Sequence, residues 1–277
     1  MAKANPLSLA LLTGLAILAF AGNSLLARAA LADGAIEAGA FSAIRLAAGA
    51  LILLPFLKSR PRVSDIKGAA SLLIYIVGFS FAYLTLYAAT GALILFGCVQ
   101  ASVMAIGILQ GDRPSARGWL GLLIALSGLG WLFLPGSQGA AIIPAATMAL
   151  AGIAWGVYTI VGRGGRDPAR NTAANFLLAA PFALPLVLLD SGPPSAWGVG
   201  LAIASGAVTS GLGYVIWYRV APELTLATTA TAQLATPVVA ALGGALLLAE
   251  PLTLDIAIAG GLILGGILLT LRREPAG

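Results

Sequence analysis

Charged residues punctuate this chain at short intervals and leave long apolar stretches between them. The stretches run near 6–30, 37–57, 67–88, 91–110, 116–134, 140–161, 170–189, 195–218, 223–249 and 253–272. Each approaches the roughly 20 residues that a helix rising about 1.5 Å per residue needs to cross a bilayer core. A closed β-barrel also spans membranes, but its strands alternate apolar and polar residues. Runs such as ALILLPFL and GGLILGGILLTL do not alternate. The pattern therefore predicts an all-α polytopic membrane protein with ten transmembrane helices. The first stretch follows Lys3 as a signal peptide would, yet it is long for a signal sequence and is counted as a spanning helix.

Composition agrees with a lipid solvent. The chain is 60% hydrophobic and 9% charged, against about 25% charged for a soluble domain. It has no His and a single cysteine, Cys98, which excludes an intramolecular disulfide and a His/Cys metal cluster. No Walker A loop is present to bind ATP, so no cofactor and no metal are expected. The net charge of +5 is not gathered with stacking aromatics, which argues against nucleic acid and for the bilayer as the basic residues' partner. Of the 15 basic residues, 13 fall in alternate loops or at the termini: Lys3, Lys58, Arg60, Arg62, Lys67, Arg113, Arg117, Arg163, Arg166, Arg170, Arg219, Arg272 and Arg273. Arg28 alone lies on the opposite side, and Arg45 lies inside an apolar stretch. The positive-inside rule then makes both termini cytoplasmic in a bacterial-type inner membrane.

The two halves echo each other. YLTLY and YVIWY pair Tyr83 with Tyr214 and Tyr87 with Tyr218 at an offset of 131. At 130, Pro55 meets Pro185 and Arg45 meets Asn175; at 138, Asp112 meets Glu250 and Gly128 meets Gly266; near 134, Gly22 meets Gly156. Five helices per copy is odd, so the copies cross the membrane in opposite directions. The expected organisation is residues 1–137 and 138–277 as two inverted five-helix repeats around a central cavity. Secondary transporters use this architecture and hold substrate near the midplane.

FAGNSLLAR (20–28), FSAIRLAAGALIL (41–53), GDRPSARGWLGLLIALSG and AEPLTLDIAIAGGLILGG together resemble the drug/metabolite transporter superfamily in its ten-helix EamA-type branch. The resemblance covers nearly the whole chain and is greatest to the YddG-type exporters of aromatic amino acids. Where that family often carries Trp in its first motif, Phe20 or Ala21 stands here, while AWG at 154–156 is closer to type. The resemblance implies a basket of helices around a cavity, with the fifth and tenth at the periphery.

Candidate substrate-binding residues are the polar and aromatic side chains inside apolar stretches, because polar groups in hydrocarbon turn to the bundle interior. Thr225, Thr229, Gln233 and Thr236 follow spacings of 4, 4 and 3 on one helical face. Gln100, Ser102 and Asn23 add to them. Interhelical hydrogen bonding is the competing role for all of these. Tyr87 and Tyr218 sit where an interfacial aromatic belt is expected, whereas Tyr83 and Tyr214 lie one turn deeper. Trp155 and Tyr158 share a face of the sixth stretch. The expected site is thus Asn23, Tyr83, Gln100, Trp155, Tyr158, Tyr214, Thr229 and Gln233. Arg45 either meets a substrate carboxylate or fixes the second helix through helix-end carbonyls or Glu37, and its place in the family fold favours the second. The pairs Gly107/Gly111, Gly152/Gly156 and Gly261/Gly265 suit close helix contact.

These residues point to a secondary transporter exporting amino acids, aromatic ones above all. Every acid lies in a loop or at a segment end, so transport uncoupled from protons is expected. A multidrug or other metabolite exporter of the same fold is the alternative, although no membrane-embedded acid would attract a lipophilic cation. An enzyme lacks a nucleophile with its base, and a receptor or structural protein has no need of an inverted repeat.

Overall fold

The computed structural model describes residues 5–111, 113–132, 141–163, 167–224 and 226–271, with backbone alone at 163, 226–231 and 271. Every regular element described is helical: α1 (Pro6–Leu31), α2 (Ala38–Leu53), α3 (Ile66–Tyr83), α4 (Ala88–Leu109), α5 (Ala116–Trp131), α6 (Ile142–Arg163), α7 (Pro168–Ala183), α8 (Ala196–Ala204), α9 (Gly213–Val220), α10 (Leu226–Leu247) and α11 (Leu254–Leu271). A π-helical segment, Ser205–Leu212, joins α8 to α9 in one continuous rod. Seven of the helical rods are long and apolar enough to cross a membrane, and Ala232–Leu247 and Leu254–Thr270 are shorter apolar helices. Leu7, Leu11, Leu15 and Leu18 form an exposed leucine stripe on α1. Such a surface suits lipid, and the chain is a multi-pass membrane protein.

Local chemistry sets four of the helix starts. Asn5 caps α1 ahead of Pro6, and Ser115 accepts the Gly118 N–H at α5. Asp167 accepts from Arg170 ahead of Pro168 at α7, and Ser195 accepts from Gly198 at α8. The turn after α4 uses Gly111 at φ +103°, a left-handed backbone that glycine adopts without strain. One boundary departs from the apolar pattern. YLTLY reads as the end of a helix reaching 88, but α3 stops at Tyr83 and α4 already starts at Ala88. The cause is remote: the Glu250 carboxylate accepts the Ala88 N–H at 2.7 Å and so caps α4 from 162 residues away.

The element boundaries recur along the chain. The starts of α2 and α7 are 130 positions apart, each helix has 16 residues, and each runs into a 3-10 turn opened by Pro55 or Pro185. Helices α4 and α10 have 22 residues each and start 138 apart. Packing partners recur as well. Helix α3 lies along α6, and the α8–α9 rod lies along α1; α2 meets α7, and α5 meets α11. The α5–α11 seam is built on glycine. A Cβ at Gly266 would fall 2.5 Å from both the Ala125 nitrogen and the Gly121 carbonyl oxygen. Of the expected glycine pairs, Gly152 and Gly156 do lie against α4, whereas Gly261 and Gly265 face open space.

Ion pairs gather at the two ends of the bundle. At the end carrying the basic loops, Arg170 donates to Asp65 at 2.7 Å, to Ser59 at 3.0 Å and to the Arg60 carbonyl. Lys58 adds an exposed pair with Asp167. At the other end, Arg28 pairs with Glu250 at 2.7 Å and donates to the carbonyls of Tyr83 and Leu84. There too Asp190 accepts the Gly39 and Ala40 N–H groups, and Glu37 accepts those of Ser191 and Gly192. Each end of the bundle is thereby braced by contacts between the two halves of the chain.

Candidate functional site

Between these ends lies a cavity walled by aromatic rings. Phe20 comes from α1, Tyr75 and Phe79 from α3, Phe96 from α4, Trp155 from α6 and Tyr214 from α9; Asn23 and Leu95 complete the wall. The rings touch one another. Trp155 lies 4.8 Å from both Tyr75 and Tyr214 between centroids, and Phe20 packs edge-on against Trp155 and Tyr214. The enclosed space is about 10 Å³, room for roughly one water. Pockets that hold small molecules measure about 300 Å³ or more. A ligand of that size therefore fits between the rings only if they part.

A polar network runs behind the rings. The Asn23 Oδ1 accepts from Thr209 at 2.7 Å and from Ser205 and Ser210 at 3.0 Å, while its Nδ2 donates to the Thr209 carbonyl at 3.2 Å. Three hydroxyls exceed the two lone pairs of an amide oxygen. Thr209 relieves the excess, since its hydroxyl also reaches the Ser205 carbonyl at 3.1 Å. These bonds pin the π-helical turn to α1. π-helical interruptions of α-helices are frequent at functional sites. The Gly206 backbone approaches α2 so closely that a Cβ there would strike the Arg45 carbonyl.

Arg45 occupies the same network and is fully buried. Its Nε donates to Ser210 at 3.1 Å and its Nη2 to the Tyr75 hydroxyl at 3.2 Å. The guanidinium carbon stands 4.7 Å from the Phe79 ring centroid and 5.4 Å from that of Tyr75. The expectation of a pairing with Glu37 is corrected: Glu37 caps backbone at the far end, and Arg45 reaches into the core behind the cavity wall. Among the described residues it has no carboxylate partner, and its Nη1 has no hydrogen-bond acceptor. Arg170 and Arg28, by contrast, each hold an acid at 2.7 Å.

The structure brings three of the expected site residues to the cavity wall: Asn23, Trp155 and Tyr214. Tyr158 lies behind the wall, stacked on Trp155 at 5.2 Å and in contact with Asn175. Tyr83 is buried at the end of α3 against Phe79 and Gly91, outside the wall. Gln100 and Gln233 are half-buried and do not line the cavity. The side chain of Thr229 lies outside the described residues. Tyr75, Phe79 and Phe96 escaped the sequence reading. The signal for the first two was present, because Tyr75, Phe79 and Tyr83 recur every four residues and so share one helical face.

Comparison with known proteins gives this arrangement a family. Residues 142–272 match the EamA-like transporter family. Protein PA1977 of Pseudomonas aeruginosa PAO1, itself uncharacterized, is 50% identical over 268 residues, covering 94% of this chain and 93% of that protein. The threonine/homoserine exporter RhtA of Salmonella typhimurium is 28% identical over 256 residues, covering 87% of this chain and 85% of its own. A solved crystal structure superposes with a TM-score of 0.69 over 96% of this chain and 98% of its own; at 20% identity this is a likeness of fold alone. The chain thus belongs to one family with PA1977, and its residues 142–272 are similar to the EamA-like transporter family.

Proposed function

We propose that the protein exports amino acids with aromatic side chains across the inner membrane by alternating access. The observation that carries this reading is the ring-walled cavity, set between two braced ends of the bundle in a chain whose residues 142–272 match a transporter family. Aromatic walls favour an apolar, planar side chain through offset and edge-on contacts. In this reading residues 1–137 and 138–277 are inverted repeats, supported by the recurrence of element lengths and packing partners. The end with Lys58, Arg60, Arg62 and Lys67 is cytoplasmic, supported by the positive-inside rule. Trp155 and Tyr214 clasp the substrate side chain, with Tyr158 backing Trp155. Asn23 holds the π turn and borders the cavity, while Tyr83 serves helix packing.

Among the described residues no acid lines the cavity. Transport then runs down the substrate's own gradient, without the titrating carboxylate that proton-driven carriers hold in the membrane. The name of the RhtA relative favours a second reading, in which the same fold carries small hydroxylated amino acids. Competition decides between them. Proteoliposomes releasing labelled phenylalanine are challenged with excess tryptophan, threonine, homoserine or a cationic dye. Inhibition by tryptophan supports the aromatic reading. Inhibition by threonine and homoserine alone supports the second, and inhibition by the dye alone supports a multidrug exporter.

A further inference from the structure

We propose that Arg45, together with the hydroxyls of Tyr75 and Tyr214, is the binding site for a carboxylate on the transported molecule. This rests on the transport reading above but not on the aromatic side chain. Three observations carry it. Arg45 is fully buried with its Nη1 donor unused, while Arg28 and Arg170 are both satisfied by acids. The Tyr214 hydroxyl, on the cavity wall, is likewise buried, with the Tyr75 hydroxyl as its polar neighbour and no acceptor in full hydrogen-bond geometry among the described residues. The Tyr75 oxygen accepts from Arg45 at 3.2 Å, which leaves its own proton to give. Donors without acceptors, a positive charge without an acid, and a position midway along α2 together call for an anion with two oxygens. A guanidinium fork matches a carboxylate in shape and charge.

Arg45 stands behind Tyr75 and Phe79, so the carboxylate reaches it only when those rings part. Ligand entry and ring movement are then one event. The bound anion supplies the missing countercharge, and the apolar remainder of the ligand fills the space between Phe20, Trp155 and Tyr214. Ser210 links the site to the π turn, since it accepts from Arg45 and donates to Asn23.

The test uses purified full-length protein and two independent arms. The first reads thermal stabilisation by phenylalanine, threonine, 3-phenylpropionate, phenylalaninamide and phenethylamine. The acids should bind roughly 10- to 100-fold more tightly than the molecules lacking a free carboxylate. Equal or tighter binding of phenylalaninamide or phenethylamine overturns the proposal. Stabilisation by 3-phenylpropionate without the amino acids retains it and sinks the amino-acid reading instead. The second arm needs no ligand. Arg45→Met should leave the midpoint of thermal unfolding unchanged or higher, because it removes an unpaired buried charge, while Arg170→Met should lower it. If Arg45→Met destabilises as much as Arg170→Met, Arg45 is a structural cation and the proposal fails, whatever the first arm gives.

Discussion

Replacing Asn23 by alanine tests whether the π turn is held by one side chain. The substitution removes the acceptor shared by Ser205, Thr209 and Ser210, and the donor to the Thr209 carbonyl. Thr209 falls back on the Ser205 carbonyl, so the hydroxyl protons of Ser205 and Ser210 are the ones stranded, both side chains being fully buried. At about 1–3 kcal/mol for each orphaned buried group, the loss is roughly 2–6 kcal/mol. Interhelical hydrogen bonds in membranes average about 0.6 kcal/mol, so four of them give roughly 2–3 kcal/mol. The two routes overlap at about 2–3 kcal/mol. For a chain of this size that lowers the unfolding midpoint by roughly 5–10 °C. The assay is a thermal melt of purified Asn23→Ala beside wild type, read by intrinsic tryptophan fluorescence. Ser205→Ala, which removes a hydroxyl together with its need for a partner, should cost clearly less. An unchanged midpoint in Asn23→Ala, with transport lost, would show that Asn23 meets substrate and does not brace the turn.

Three further outcomes follow from the packing. Gly266→Val drives a side chain into the Ala125 nitrogen and the Gly121 carbonyl, and should cost about 3 kcal/mol or more in the same melt; Gly261→Val, in open space, should change it by less than about 0.5 kcal/mol. Ala249 holds a left-handed φ of 53° ahead of the latch residue Glu250, so Ala249→Gly should raise stability by about 0.5–1 kcal/mol, measured as a higher midpoint. Asp167 caps α7, and the Arg170 N–H first, then Lys58, hold its carboxyl below the ordinary value. A lowered carboxyl contributes stability above its unfolded value and loses it as pH falls through the folded one. Asp167→Ala should therefore cost about 1 kcal/mol near pH 7, and the two melts should converge in strong acid.

Among the described residues, seven of the ten expected spans are long apolar helices, and these were legible because lipid imposes a simple rule: about 20 apolar residues between charges. The Pro55/Pro185 match falls on paired 3-10 turns, which the linear pattern did not reveal. Hidden from the sequence were features created by residues far apart. The break at Thr85–Tyr87 depends on Glu250, and the π turn depends on Asn23, 182 positions from Ser205. The site was half legible for the same reason. Trp155 and Tyr214 stood out as aromatics in apolar stretches, but Phe20 and Phe79 looked like ordinary core. Arg45 looked like a helix anchor because no linear pattern reveals that its neighbours at Ser210 and Tyr75 supply no charge. Gln100 and Gln233 drew attention by polarity alone, and polarity does not say which way a helix is turned.

The central claim is that this chain carries amino acids through the ring-walled cavity, and counterflow tests it most directly. Proteoliposomes are loaded with unlabelled phenylalanine, diluted into labelled phenylalanine, and followed for transient uptake of label. Wild type should show uptake well above protein-free liposomes, with no dependence on an imposed proton gradient. Trp155→Ala should lose most of it while remaining folded. No uptake by folded wild type of any amino acid, or full uptake by Trp155→Ala, would contradict the account.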